Sequence, residues 1–206
     1  MSEPVAIAVL AKAPLAGFAK TRLVPVLGAA GAAALQARLI ARAVATACEA
    51  GCGPVTLWAA PDETHPTFQA LRARHGIALA RQGDGDLGAR MRVAIGAGPG
   101  MVIGTDCPAL TPDHLRTAAD VLRGGADAVV VPAEDGGYVL IGTRRARPAL
   151  FERMHWSTPE VMAQTRARLR ALALVWQEPV MLWDVDVPAD LERLRQSGLE
   201  ELLKPA

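Results

Sequence analysis

The chain has 206 residues, of which 51% are hydrophobic, and its 22 basic and 21 acidic side chains leave a formal net charge of +1. This length suits one domain with a substantial core, and the near-neutral charge argues against a general nucleic-acid or anionic-membrane binder. The three cysteines show neither a disulfide framework nor the spacing of zinc ligands, so a reducing cytoplasm is the expected compartment. We find no signal-peptide pattern and no apolar run of ~18 residues, and therefore expect neither secretion nor a membrane span.

Short apolar runs alternate with helical patterns along the chain, and glycine, proline or aspartate mark the junctions. Strands are predicted at 4–11, 54–60, 77–82, 101–106, 126–133, 136–144 and 178–186. Helices are predicted at 29–50, at 67–74, from about 86, at 111–122 with Thr111 as N-cap, and from about 188. This alternation indicates a doubly wound α/β fold, whose mostly parallel sheet is covered by helices on both faces, in a single domain spanning 1–206.

Acidic residues follow the predicted strands at the edge where such folds bind ligands. Ligands of open α/β sheets bind beyond the carboxyl ends of the strands. The acidic residues at those ends are Asp106, Glu134, Asp135, Asp184 and Asp186. Each cluster alone is weak evidence, because acidic residues also begin loops and cap helices. Together they predict a ligand site at this edge.

The segment KAPLAGFAKTRL, residues 12–23, follows the first strand and contains two of the three lysines of the chain. Lys20 and Arg22 are expected to contact phosphate, with Lys12 beside them, and Gly17 would let the turn approach a ligand closely. The spacing matches neither a P-loop nor a dinucleotide-binding fingerprint, which disfavours an ATPase or a dehydrogenase. The alternative is a loop whose charges are simply solvated.

A phosphate-binding loop that faces carboxylates predicts a divalent cation between them. Mg²⁺ and Mn²⁺ prefer oxygen ligands, typically one or two carboxylates together with substrate phosphates. Asp106 is the first predicted ligand and Asp186 the second, with Asp184 as its competitor. The alternative role for Asp106 is capping the turn before Pro108.

Five motifs in this order carry a family resemblance: KAPLAGFAKTRL, IGTDCPAL, VPAEDGGYVLIG, HWSTPEVMAQT and WDVDVPADL. The chain resembles the radical-SAM/selenodomain-associated transferase family, a glycosyltransferase-like group of the nucleotide-diphospho-sugar transferase (GT-A) superfamily. The resemblance spans nearly the whole chain and implies a GT-A fold, a nucleotide ligand and a divalent metal. It favours glycosyl transfer from a nucleotide-diphosphate sugar to a small acceptor.

The residues after Asp106 point to a second activity. Many glycosyltransferases of this fold carry Asp-x-Asp, whereas Asp106 is followed by Cys107 and Pro108. Asp-x-Pro, with Lys-Thr-Arg-Leu in the first loop, is similar to nucleotidyltransferases such as 2-phospholactate and molybdopterin guanylyltransferases. Those enzymes join an NTP to a phosphorylated acceptor and release pyrophosphate. A nucleotide-binding protein that has lost catalysis is a third hypothesis.

Both enzymatic activities would use the same parts. The metal, Lys20 and Arg22 would stabilise charge on the departing phosphate, next to Thr21 in the same loop. By resemblance, the loop GDGDLG would lie along the base and ribose through Gly85, Asp86 and Gly88. No nucleic acid and no membrane is expected as a partner.

The motif EDGGY would face the acceptor through Glu134, Asp135, Gly136, Gly137 and Tyr138. Glu134 or Asp135 could be a general base for an acceptor hydroxyl, or either could simply form the turn, and Asp135 is the residue assigned to catalysis. Trp156 could stack on a sugar or base, or pack against a helix.

Overall fold

A computed structural model describes residues 2–204 as a mixed α/β structure. The strands are β1 (Ala6–Lys12), β2 (Val55–Ala60), β3 (Ala78–Arg81), β4 (Gly100–Ile103), β5 (Ala128–Pro132), β6 (Tyr138–Thr143) and β7 (Trp176–Gln177). The helices are α1 (Val24–Ala50), α2 (Pro66–His75), α3 (Leu87–Ile95), α4 (Pro112–Arg123), α5 (Val161–Ala171) and α6 (Pro188–Gln196). Short 3₁₀ turns lie at Thr21–Leu23, Pro148–Leu150 and Glu200–Leu203.

The strands of the described chain form one sheet in the order β3-β2-β1-β4-β6-β5-β7. Neighbouring strands are parallel, except that β6 runs antiparallel to both β4 and β5. The mostly parallel, doubly wound sheet predicted from the sequence is therefore confirmed. Its central strands end on the same edge, which brings the loops after β1, β4 and β5 together.

Alternate residues of the central strands are buried on opposite faces of the sheet. One face packs against α1, α2 and α4 and includes Ile7, Val9, Met101, Ile103, Val129 and Val131. The other face packs against α3 and α5 and includes Ala8, Val102, Val130 and Ile141. Burial on both sides explains why these strands have continuous apolar sequences rather than alternating ones.

Helix α1 is apolar over most of its length. The stretch Thr21–Ala50 has a mean hydropathy of 1.6, enough by length and composition for a membrane span. The sequence-based expectation that no such stretch exists overlooked it. Leu39, Ile40 and Val44 of α1 are at most 1% exposed, packed against the sheet and the C-terminal segment. Gly28 has non-helical torsions, so regular helix begins where the sequence predicted, near residue 29.

The predicted strand at 178–186 is wrong. The last strand is the short β7, and farther along only Leu182 forms an isolated bridge, to Ala133. Pro179 has no N–H group for a ladder, and Trp183 and Val185 instead leave the sheet to pack against α1 and α6. Helix α5 has no counterpart among the predicted elements.

The N-terminus of α4 provides a test of the predicted cap. The Thr111 hydroxyl accepts a hydrogen bond from the His114 N–H at 3.3 Å, and His114 Nδ1 accepts one from the Thr111 N–H at 3.2 Å. We expect Thr111→Ala to lower the free energy of unfolding by about 1 kcal/mol, measured by urea denaturation. Thr117→Ala, at an exposed position inside the same helix, is the control and should cause no loss. Equal losses in both variants would contradict the capping role.

Candidate functional site

The carboxyl edge of the sheet brings together Lys20, Asp106 and Asp186 from three distant segments. Lys20 Nζ lies 2.5 Å from Asp106 Oδ1 and 3.0 Å from Asp186 Oδ1. It also donates a hydrogen bond to the Val185 carbonyl at 2.6 Å. The lysine side chain is 5% exposed, whereas each carboxylate is 45% exposed. A buried cation thus joins two carboxylates that still face solvent.

Backbone contacts hold these three residues in place. Lys20 has left-handed torsions (φ 47°, ψ 46°) and precedes the 3₁₀ turn that places Leu23 in the core. The Asp106 carbonyl accepts a hydrogen bond from the Val185 N–H at 2.8 Å, which docks the C-terminal segment beside the end of β4. Asp190 Oδ2 accepts hydrogen bonds from the N–H groups of Asp186 and Val187 at 2.7 and 2.8 Å. The Asp186 carboxylate is therefore not needed to cap α6 and can contact Lys20.

The charged groups of this cluster shift the pKa values of Lys20 and Asp184. Burial alone would lower the pKa of Lys20, but attraction to Asp106 and Asp186 outweighs burial, and the pKa lies above its ordinary value. Burial, with repulsion from Asp106, Asp135 and Asp186, raises the pKa of Asp184 to about 7. Asp184 is thus the carboxyl group of this edge that can hold a proton near neutral pH.

Cys107 lies behind the cluster. Burial and the neighbouring Asp184 raise the pKa of its thiol to about 12. A thiol that stays protonated is a poor nucleophile and a poor metal ligand. Cys107 is therefore a packed residue.

The other predicted residues of the opening loop lie outside this cluster. Lys12, Gly17, Thr21 and Arg22 are exposed, and Gly17 has a positive φ of 82°. Within residues 2–204, Lys12 and Arg22 form no ion pair. Two cationic side chains are thus available to a ligand at this end of the sheet, whereas Lys20 is already engaged.

The loop GDGDLG packs against the segment that contains Trp156. Asp86 caps α3 by accepting a hydrogen bond from the Ala89 N–H at 2.8 Å, and its other oxygen accepts one from Trp156 Nε1 at 3.2 Å. Gly88 is buried, and a Cβ atom there would lie 2.6 Å from Trp156 Cζ2 and would collide with the Phe151 carbonyl. Gly85 has a positive φ of 96°. The indole of Trp156 is thus held at its polar end by the predicted nucleotide loop.

The two acidic residues of EDGGY have different partners. Glu134 forms a bidentate ion pair with Arg193 at 2.6 and 2.8 Å, and the Arg193 guanidinium lies 4.4 Å from the ring centroid of Trp183. The hydrogen bonds from Arg193 hold the pKa of Glu134 below its ordinary value. Asp135 instead accepts a hydrogen bond from the Gly137 N–H at 2.8 Å and is exposed. Of the two general-base candidates, Asp135 is the one without an ion-pair partner within the described residues.

The end of this turn packs against the segment before α5. Gly136 has a positive φ of 91°, and a Cβ atom there would collide with the backbone of Pro159. The Tyr138 ring meets Trp156 edge to face with centroids 6.5 Å apart, and its hydroxyl lies 3.7 Å from Met91 Sδ. Burial raises the pKa of Tyr138, so this phenol remains neutral. Tyr138 and Trp156 therefore form an aromatic wall beside the loop.

Sequence reasoning missed two residues that organise the edge. Gln82 is buried, and its Nε2 donates to the carbonyls of Ala11 and Trp58 at 3.1 and 2.8 Å, which joins the ends of β1, β2 and β3. Asp190, described above, frees Asp186 from capping. A glutamine at the end of an apolar strand is a signal that could have revealed Gln82, because a buried amide needs hydrogen-bond partners.

The family model described as "uncharacterized protein conserved in bacteria (DUF2064)" matches residues 42–158, which is more than half of the chain. The chain belongs to this family. A comparison with curated proteins finds no match.

Solved structures share the fold. A crystal structure from Desulfovibrio desulfuricans G20, provisionally described as a nucleotide-diphospho-sugar transferase, has a TM-score of 0.83 at 26% identity over 97% of this chain and 91% of that one. A CMP:2-keto-3-deoxy-manno-octonic acid synthetase in complex with CTP has a TM-score of 0.57 at 16% identity. A nucleotidyl transferase from Methanothermobacter thermautotroptrophicus has a TM-score of 0.58 at 15% identity. Each of these two matches covers 97% of this chain and 100% of the other. The nucleotide-diphospho-sugar transferase fold implied by the sequence is thereby confirmed.

The close contact at Gly88 can be tested by adding one methyl group. Gly88→Ala should lower the free energy of unfolding by about 1–3 kcal/mol, because Phe151 and Trp156 must move to admit the Cβ atom. Gly83→Ala in the same loop has open space and is the matched control. Urea denaturation measures both. A loss in Gly83→Ala as large as that in Gly88→Ala would show that loop entropy, not packing, is responsible.

The pKa of Asp184 predicts a pH dependence of stability. Between about pH 4, the ordinary value for aspartate, and pH 7, the folded state binds a proton at Asp184 that the unfolded state has released, so the contribution of Asp184 to stability should fall as pH rises. Asp184→Asn mimics the protonated acid and should lack this contribution, so it should become increasingly stable relative to wild type from about pH 4 to pH 7. Asp113→Asn, an exposed aspartate on α4, is the control. Parallel stability curves for wild type and Asp184→Asn would contradict the raised pKa.

Proposed function

We propose that the protein is a divalent-metal-dependent transferase that acts on a nucleotide-activated substrate in the cytoplasm. The proposed reaction is glycosyl transfer from a nucleotide-diphosphate sugar to a small acceptor. The observation that carries the proposal is the convergence of Lys20, Asp106 and Asp186 at the carboxyl edge of the sheet. The similarity to a structure described as a nucleotide-diphospho-sugar transferase supports the transferase class.

The residues at this edge fit a hard divalent cation. Three oxygens surround the Lys20 ammonium, namely one from each of Asp106 and Asp186 and the Val185 carbonyl. Oxygens of this kind are the ligands that Mg²⁺ and Mn²⁺ prefer, and substrate phosphates usually complete the set. Within residues 2–204 no group of three or more His, Cys, Asp or Glu side chains is placed to hold a metal ion, so the proposal requires substrate phosphates to supply the remaining ligands.

Different residues along this edge would bind the metal, the phosphates and the nucleoside. Asp106 and Asp186 would hold the cation, which when bound neutralises charge on the phosphates. Arg22 and Lys12 would contact phosphate oxygens from the exposed loop, and Thr21 and Gly17 would shape that loop. Gly85, Asp86 and Gly88 would border the base and ribose.

The acceptor would lie between the EDGGY turn and the aromatic wall. Asp135 is exposed, and its charge is one of those that raise the pKa of Asp184. From that position Asp135 would accept a proton from an acceptor hydroxyl. Gly136, Gly137 and Tyr138 would line the acceptor side together with Trp156. Glu134 would contribute through its ion pair with Arg193, which fixes the start of the turn.

Nucleotidyl transfer is the second candidate. It is favoured by one observation, the Asp-Cys-Pro sequence at 106–108, where a glycosyltransferase of this fold often carries Asp-x-Asp. In that reaction the same cation and loop would stabilise a departing pyrophosphate.

A ligand panel and a product assay separate the two activities. Thermal shifts are measured for NTPs and nucleotide-diphosphate sugars, each with and without Mn²⁺. A ligand at 100 times its Kd should stabilise the protein by ~2.7 kcal/mol. Glycosyl transfer from a nucleotide-diphosphate sugar releases a nucleoside diphosphate, whereas nucleotidyl transfer from an NTP releases pyrophosphate. If no nucleotide stabilises the protein in either condition, the proposed function is wrong.

Asp106→Asn tests the proposed metal ligand. We expect this variant to lose the Mn²⁺-dependent part of nucleotide binding and to keep its fold, because the side chain is half exposed. Calorimetric titration with and without Mn²⁺ measures the effect. Asp120→Asn, an exposed aspartate on α4, should behave as wild type. Unchanged Mn²⁺ dependence in Asp106→Asn would refute the assignment.

A further inference from the structure

We propose that Lys20 occupies the cation position between Asp106 and Asp186, and that a divalent cation exchanges with it and releases the lysine to the phosphates of the ligand. Without metal, the Lys20 ammonium neutralises the two carboxylates, and a bound metal takes over that role. The proposal rests on the divalent cation of the proposed function, but not on the identity of the nucleotide or the reaction.

The hydrogen bonds of Lys20 make its two roles mutually exclusive. An ammonium group has three N–H donors and no acceptor. In the structure, Nζ contacts Asp106, Asp186 and the Val185 carbonyl at 2.5, 3.0 and 2.6 Å. Three oxygens thus surround Nζ, two as hydrogen-bond acceptors and the third, of Asp106, as an ion-pair partner, so a phosphate oxygen would have to displace one of them. Lys20 can bind phosphate only after it leaves the carboxylates.

The geometry also leaves no room for a metal between the two Oδ1 atoms that the bound lysine contacts. A Mg²⁺ ion shared by Asp106 and Asp186 would lie about 2.1 Å from their oxygens. The ammonium nitrogen already lies within 3.0 Å of one oxygen of each carboxylate. Two cations would therefore compete for one position, and their repulsion is strong where Lys20 is 5% exposed. Metal binding thus requires that the ammonium group move away.

The surroundings of Lys20 allow that movement. Gly17 and Thr21 are exposed on either side of it, and Phe18 is 81% exposed. Leu23 is fully buried and fixes the base of the loop. A lysine has four rotatable bonds in its stem, so Nζ can reach solvent without disturbing Leu23. There it would join the exposed charges of Lys12 and Arg22.

The exchange couples the metal to the phosphate. A metal frees Lys20 for phosphate, and phosphate that holds Lys20 removes the competitor of the metal, so each ligand should raise the affinity for the other. Without either ligand, Lys20 keeps the two carboxylates paired.

The first experiment uses the wild-type chain and needs no nucleotide. The chain has three lysines, of which Lys12 and Lys204 are exposed, so acetic anhydride labelling followed by mass spectrometry compares Lys20 with two internal standards. Without divalent cations, Lys20 should be acetylated at least about tenfold more slowly than Lys12. Titration with Mg²⁺ should raise the rate at Lys20 and leave Lys12 and Lys204 unchanged. Unchanged protection of Lys20 over the whole titration overturns the exchange.

The second experiment measures the competition itself. Lys20→Met keeps the length of the stem and removes the charge, and Lys204→Met removes a lysine charge outside the site. By calorimetry without nucleotide, Lys20→Met should bind Mn²⁺ at least about tenfold more tightly than wild type, and Lys204→Met should match wild type. Equal or weaker binding by Lys20→Met overturns the proposal.

The two experiments separate this inference from the proposed function. If Lys20→Met fails to fold, the labelling of the wild-type chain decides alone. If the exchange occurs but no nucleotide binds, the proposed function fails and the exchange stands. If nucleotides bind with Mn²⁺ but Lys20 stays protected, the exchange fails and the function stands.

Discussion

The buried ammonium group of Lys20 is the interaction on which the carboxyl edge depends. Asp106, Asp184 and Asp186 interact there through their charges, and like charges are costly where water is partly excluded. Lys20 contacts two of them, and Asp184 reduces its charge by holding a proton near neutral pH. Because Lys20 and Asp186 are 166 residues apart in sequence, this one group also joins the first loop to the C-terminal segment.

An apolar cluster lies directly beneath that charged one. Leu23 lies three residues after Lys20, and Val185 lies directly before Asp186. Leu23 and Val185 are fully buried, and together with Trp183 they pack against α1 and α6. Hydrophobic burial supplies most of the stability of a domain, whereas a buried ion pair returns little after desolvation. The apolar cluster therefore holds the two segments in place, and the charges determine what can bind between them.

The sequence revealed the parts of this site that depend on local pattern. Asp106 follows a parallel strand as the pattern predicted, whereas Asp186 reaches the same edge without the predicted strand, through the hydrogen bond from the Val185 N–H to the Asp106 carbonyl. The partners of long side chains could not be predicted, because Glu134 and Arg193 are 59 residues apart and nothing local relates them. The apolar run that ends in Asp186 resembled a strand, but hydrophobic residues of this run pack against α1 and α6 instead of the sheet.

The glycines of the two predicted ligand loops show most clearly what a sequence pattern hides. Gly88 was predicted to lie along the nucleotide and Gly136 to face the acceptor, yet the structure brings other parts of the chain against each of them. Phe151 and Trp156 contact Gly88, and Pro159 contacts Gly136. One segment, 151–159, therefore packs against both loops at points where a side chain would not fit. Since that segment touches the predicted nucleotide side and the predicted acceptor side, its packing determines the distance between them. In the proposed function, this segment would set the separation of the nucleotide and the acceptor, whereas the charged residues would contact the phosphates.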